Sequence, residues 1–132
     1  MATPHSVLVP LTGSVEPERL VDTACTLADD DASVTAVVVI EISPLLPLDA
    51  RMDEEETQAR ALLGRARAAG EDYGVRVVLR IVRARATAPA ILALADAEQT
   101  ELVVVGSKRH RVRGLERRLM RDAHCRVLVV AA

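Results

Sequence analysis

The chain has 132 residues and a mass of 14.2 kDa, enough for one domain with its own core and too little for two. Half of the residues are hydrophobic and 27% are charged, which is the composition of a globular protein. Phe and Trp are absent and Tyr73 is the lone tyrosine, which excludes base stacking on aromatic platforms and aromatic cages for methylated amines.

The net charge of −2 hides a polarity. Residues 108–126 hold eight bases (Lys108, Arg109, Arg111, Arg113, Arg117, Arg118, Arg121, Arg126) and two acids (Glu116, Asp122), a local charge of +6. The remainder carries −8. A field of this kind attracts anions to one end of the molecule only. No run approaches the 20 or so apolar residues that a membrane-spanning helix needs. The opening residues Met1 to His5 lack a basic segment followed by an apolar stretch, so no secretory signal is expected, and the expected compartment is the cytosol. Cys25 and Cys125 have no partner spacing, so neither a disulfide framework nor a zinc site is expected.

In chain order, the first apolar run is Ser6 to Leu11, a strand. Thr12-Gly13-Ser14 follows as a turn, with Ser14 expected to cap a helix whose stripe is Leu20, Val21, Ala24, Leu27 and Ala28. Glu16 and Glu18 suit the positive end of that helix. Val34 to Ile42 is the second strand. Ser43 to Asp53 is a long irregular connection with two prolines and three leucines. It is expected to fold those leucines over the core; a lid or docking patch is the alternative. Asp53 to Glu56 reads as an acidic helix start. Ala59, Leu62, Leu63, Ala66, Ala69 and Tyr73 continue that helix to a stop at Gly74. A strand is expected over Val75 to Val82. A helix follows on Ala88, Ile91, Leu92 and Ala95, then a strand over Leu102 to Val105. Gly106 is expected to turn the chain tightly into the basic run. A short helix on Leu115, Leu119 and Ala123 precedes a last strand over Val127 to Val130. The strands are apolar on both faces and alternate with helices, so the class is α/β with a parallel sheet covered on both sides.

In such sheets ligands sit beyond the carboxyl ends of the strands, where strand order reverses. Three connections should meet there: Thr12-Gly13-Ser14, the segment after Val39-Ile40-Glu41, and Gly106-Ser107-Lys108-Arg109. Glycine turns and helix starts offer N–H donors to phosphate, and the basic run adds full charges. The chemistry expected is anion or nucleotide binding without acid–base catalysis.

Three segments carry a resemblance to a known family. Val7-Leu8-Val9-Pro10-Leu11-Thr12-Gly13-Ser14 looks like the opening strand and turn of universal stress protein domains. Leu102-Val103-Val104-Val105-Gly106-Ser107 resembles their fourth strand and glycine turn. Asp122-Ala123-His124-Cys125-Arg126-Val127-Leu128-Val129-Val130 is similar to their closing segment. Val39-Ile40-Glu41-Ile42-Ser43-Pro44 further resembles versions attached to amino-acid permeases and other membrane transporters. The resemblance covers the whole chain as a single domain, 1–132. It implies a flavodoxin-like or Rossmann-like sheet of strand order 3-2-1-4-5, and a homodimer formed through the last strand.

Many members of that family bind ATP or AMP through a phosphate loop of the form G-x-x-G-x9-G-[ST]. Here Gly106 matches the first glycine, Arg109 replaces the second, and Arg113-Gly114 stands at the final pair across a shorter loop. Thr12 stands where binders usually carry Asp, and Val39 where backbone meets adenine. The resemblance thus assigns Thr12 and Val39 to a nucleoside, and Gly106, Ser107, Lys108, Arg109 and Gly114 to phosphates. Lys108, Arg109, Arg111 and Arg113 could supply by charge what the lost glycine and shortened loop remove. The expected function is a non-enzymatic, homodimeric stress-response or regulatory module with a degenerate adenine-nucleotide site and no metal. A bound ligand is expected to order Lys108 to Arg113 and so alter a surface that a partner reads. The alternatives are a ligand-free interaction module working with a membrane transporter, and a weak ATP hydrolase.

Other features read more simply. Arg117, Arg118 and Arg121 are a solvated helix face rather than a nucleic-acid patch. His110 and His124 lack convergent metal ligands. Cys125 is a small apolar residue entering a strand, the alternative being a thiol activated by neighbouring arginines. Val127, Leu128, Val129 and Val130, expected at a sheet edge with no blocking Pro or Lys, need covering, and a second copy would cover them.

Overall fold

The computed structural model describes residues 3–108 and 114–132. Strands and helices alternate strictly: β1 (Ser6–Pro10), α1 (Pro17–Leu27), β2 (Ser33–Glu41), α2 (Asp53–Glu71), β3 (Val77–Ala84), α3 (Thr87–Ala97), β4 (Leu102–Ser107), α4 (Gly114–Asp122) and β5 (Arg126–Ala131). The sheet is parallel throughout, in the order β3-β2-β1-β4-β5. Strand order therefore reverses between β1 and β4, the sheet neighbours that are not consecutive in sequence.

Each face of the sheet buries its own apolar layer. Val7, Val9, Val34, Ala36, Val38, Ile40 and Val104 pack against Leu20, Val21 and Ala24 of α1 and Ala59, Leu63 and Ala66 of α2. Leu8, Val37, Val103 and Val105 pack against Ile91 and Ala95 of α3 and Leu119 of α4. Neighbouring residues of one strand thus serve opposite layers, which is why the strands read as continuous apolar runs. An ion pair links α1 to α2, with Arg65 Nε donating to Glu18 Oε2 at 2.7 Å and Arg65 Nη2 to Glu18 Oε1 at 2.5 Å. That guanidinium holds the Glu18 carboxyl below the usual range.

Local chemistry departs from expectation at four places. Ser14 does not cap α1: the helix opens on Pro17, whose missing N–H costs nothing there. Ser14 Oγ instead pairs with Thr12 Oγ1 at 2.9 Å. The third strand runs two residues later than its apolar run, because Val75 N–H donates to Gly70 O at 2.9 Å and closes the end of α2. Gly106 does not make the turn: it lies inside β4, opposite Val130, and is absent from the residues with positive φ. A Cβ there would stand 2.7 Å from Val15 Cβ and Cγ2, so glycine is required by the close approach of the β1–α1 connection.

The fourth is the β2–α2 connection. Its leucines do not fold over the core: Leu45, Leu46 and Leu48 are all exposed. Two arginines at the end of β3 hold the loop backbone. Arg85 Nη1 donates to the carbonyls of Ser43 and Leu46 at 2.5 and 2.7 Å. Arg83 Nη1 donates to those of Leu48 and Ala50 at 3.0 and 2.7 Å.

Candidate functional site

The carboxyl ends of β1 and β2 open into a cavity of about 410 Å³. Leu11, Ile40, Ala59, Leu62 and Ile91 give it apolar walls, and Thr12, Glu41, Glu55, Gln58 and Thr87 give it a polar rim. Leu11 N–H donates to Val37 O at 2.8 Å, which carries the β1–β2 pairing past Pro10 and fixes where Thr12 leaves the sheet. Gly13 then takes φ +82°, a conformation glycine adopts without strain, and the connection doubles back over β4. Thr12 is thereby held at the rim, its hydroxyl shared with Ser14.

The opposite wall depends on Glu41, the last residue of β2. Its Oε2 accepts from Thr87 N–H at 2.9 Å and from Thr87 Oγ1–H at 2.6 Å. The carboxylate therefore sits on the first turn of α3, where helical N–H groups lack partners, and favours that end of the helix dipole. It ties the β2 end to the α3 start across the cavity mouth. The cavity lining holds two carboxylates, Glu41 and Glu55, and no Lys, Arg or His among the described residues.

Of the residues expected to bind ligand, the structure brings Thr12 and Val39 together in this cavity. Gly106, Ser107, Lys108 and Gly114 do not line it. Gly106 lies beneath Val15 and Ser14. Ser107 is buried as the last residue of β4, and Lys108 is exposed directly after it. Gly114 is exposed, has φ +30° and opens α4. Arg109, Arg111, Arg113 and His110 lie outside the described residues. Glu55, Gln58, Ala59 and Leu62 were missed as a lining set. Their spacing of i, i+3, i+4 and i+7 places them on one face of α2, a signal legible in the sequence.

No group of three or more potential metal ligands occurs among the described residues. His124 Nδ1 lies 3.1 Å from Asp96 Oδ1. Burial and then the charge of Asp96 push the Cys125 thiol up, the opposite of an activated thiolate. Cys125 packs on the α3–α4 side of the core, so its apolar reading holds. No helix among the described residues is long and apolar enough to cross a membrane.

A doubly wound parallel sheet with a cavity over the carboxyl ends of β1 and β2, next to the β1–β4 reversal, defines the class of Rossmann-like α/β folds. Within that class the chain belongs to the universal stress protein family, which it matches over residues 4–131. The fold is shared with a universal stress protein from Archaeoglobus fulgidus in complex with dAMP (18% identity, 97% of this chain and 98% of that one, TM-score 0.78). It is shared also with a family protein from Burkholderia pseudomallei (26% identity, 97% and 96%, TM-score 0.72). A third similar structure is a universal stress protein family protein from Arabidopsis thaliana with AMP bound (17% identity, 97% and 91%, TM-score 0.66). No curated protein sequence matches the chain.

Proposed function

We propose that this chain is a non-catalytic regulatory module that binds an adenine nucleotide, its base in the cavity above β1 and β2. The observation that carries the reading is the cavity: about 410 Å³, within the range of small-molecule sites, with Thr12 and Val39 both lining one space. The relatives from Archaeoglobus fulgidus and Arabidopsis thaliana, in complex with dAMP and AMP, support the choice of ligand.

Charge sets the orientation. Phosphates cannot lie among Glu41 and Glu55 without cations, so they extend across β1 toward the side of Ser107, Lys108 and Gly114. Thr12 meets a ribose hydroxyl. The chain pairs with a second copy through β5, the sheet edge, covering the partly exposed Val127, Leu128, Val129 and Val130.

The test is the melting temperature with AMP, ATP, adenosine and sulfate, each with and without Mg²⁺. Binding to the native state adds about 2.7 kcal/mol at a hundredfold excess over Kd. AMP and ATP should both stabilise. Lys108→Glu should weaken ATP most, AMP less and adenosine not at all. No shift with any nucleotide would overturn the reading. Steady phosphate release from ATP that Thr12→Ala abolishes would overturn the non-catalytic part of it. Light scattering should find a dimer that Val129→Lys splits.

A second reading, an interaction module that needs no ligand, is favoured by one observation. Val15 and Ser14 lie directly on Gly106 and occupy the approach to backbone there.

A further inference from the structure

The β2–α2 connection presents apolar side chains to water in a fixed arrangement. Leu45, Leu46 and Leu48 are 93%, 44% and 47% exposed. Single exposed leucines are ordinary on any surface, but three within four residues form a patch. The patch is not free to turn inward. Pro44 and Pro47 fix two φ angles. Leu46 N–H donates to Ser43 O, and Ala50 N–H to Pro47 O, each at 3.0 Å. The Arg83 and Arg85 guanidiniums bind the carbonyls along the loop, and Arg83 is itself held by Glu56 Oε1 at 2.6 Å. A surface held this way loses little freedom when it docks.

Charge indicates what it fits. Residues 41–58 hold six acids and one base; with the guanidiniums of Arg83 and Arg85, which lie on the loop, the local charge is −3, against +2 for the described residues 114–126. The base in the acidic segment, Arg51, is engaged with Asp53 at 3.0 Å. The basic segment has an exposed apolar centre of its own: Met120 on α4 is 53% exposed, with Arg117, Arg118 and Arg121 exposed around it, the last two also sharing Asp122 of their own helix at 3.5 and 2.9 Å. An acid-flanked apolar knob and a base-flanked apolar spot on one chain are complementary in both shape of charge and apolar character.

We infer that the 43–50 loop docks on α4 of a second copy of this chain, its leucines against Met120 and its acidic flank, Asp49, Asp53 and Glu54, opposite the arginines. The contact joins two different patches, so it is heterologous and extends assembly beyond a two-fold pair. It uses neither β5 nor the cavity.

Sedimentation of the full chain across micromolar to submillimolar concentration tests it. The wild type should form species larger than those of Leu45→Asp/Leu48→Asp, and roughly 1 M salt, with a screening length near 3 Å, should weaken them at least tenfold. Met120→Asp should abolish them equally. Mixing the loop variant with the α4 variant should restore association, since each keeps one intact patch. All variants alter exposed residues and should melt as the wild type does. Identical masses for wild type and loop variant would overturn the proposal, and so would a mixture that does not associate. Binding of the wild type to phosphatidylcholine vesicles, lost in the loop variant and without self-association, would assign the loop to lipid and overturn it too.

Discussion

Gly106→Ala tests the packing that holds the β1–α1 connection over the sheet. The added methyl would stand 2.7 Å from Val15 Cβ and Cγ2 and 3.1 Å from Ser14 Oγ. Carbon pairs are most stable at about 3.5–4.0 Å, so the overlap is about 1 Å against a β-branched residue that is only 5% exposed. Neither partner can rotate away, because β4 is fixed between β1 and β5 and Val15 is buried. Overpacking of this kind costs about 1–3 kcal/mol. With an unfolding entropy of about 2.1 cal/mol/K per residue, each kcal/mol lowers Tm by about 4 °C in a chain of this length, so the drop should be roughly 4–11 °C. A double-mutant cycle with Val15→Gly, which removes the clashing Cβ, should show coupling of about 1–3 kcal/mol. The displaced connection also carries Thr12, so AMP affinity should fall with stability. Calorimetric melting of the four proteins decides it. A Gly106→Ala protein that melts like the wild type, or a strictly additive double variant, would refute the close-approach reasoning.

Three further outcomes follow from the same structure. Gly70→Ala should destabilise by a comparable amount, because its Cβ would collide with Val77 Cγ2 and stand 2.9 Å from Val75 O; urea unfolding at constant m-value reads this. Glu41→Ala should cost about 1 kcal/mol by uncovering the α3 N-terminus, whereas Glu41→Gln, which still accepts from Thr87, should cost less; melting temperatures separate the two. Arg65 lowers the carboxyl pKa of Glu18, so the pair stabilises the fold above the unfolded carboxylate pKa and the gain is lost as pH falls through the lower folded value. The pair is about half exposed, so solvent keeps the effect small, and Arg65→Ala should flatten that part of the acid limb in a pH series of melts.

The fold was legible because a parallel sheet covered on both faces leaves an unmistakable record. Ala36–Ile40 and Leu102–Val105 are apolar at every position since alternate residues serve different layers. The order of the strands was not in that record and came from the resemblance. The site was legible in part. Thr12 and Val39 meet because both lie near the carboxyl ends of β1 and β2, which pair side by side in the sheet. Glycine before a polar run usually marks a turn, which is what local pattern implies for Gly106. Its actual constraint is Val15, a residue distant in sequence that no local pattern connects to it. Local pattern likewise marks Ser14 as a cap, but Pro17, with its fixed φ, starts the helix two residues beyond Val15.

The 43–52 connection shows where composition misleads. Leucines in a loop favour burial, and by transfer free energy alone each would gain about 1.5–3 kcal/mol by going inside. Burying them would carry the loop carbonyls of Ser43, Leu46, Leu48 and Ala50 inward as well, and each would need a donor there. Arg83 and Arg85 supply those donors at the surface instead, as charge-assisted bonds, and Glu56 steadies Arg83. The backbone is satisfied only with the loop outside, so the leucines stay outside with it. The deciding residues lie at the end of β3 (Arg83) and directly after it (Arg85), and their contribution becomes visible only once β3 is seen to pair with β2 through Glu41 and Ala84, which sets the guanidiniums beside the loop. Replacing both arginines by Met would remove the donors while keeping apolar length. Tryptic cleavage after Arg51 should then accelerate severalfold in the native protein, because the segment would open without global unfolding. Unchanged cleavage would show that the prolines and turns alone fix the loop.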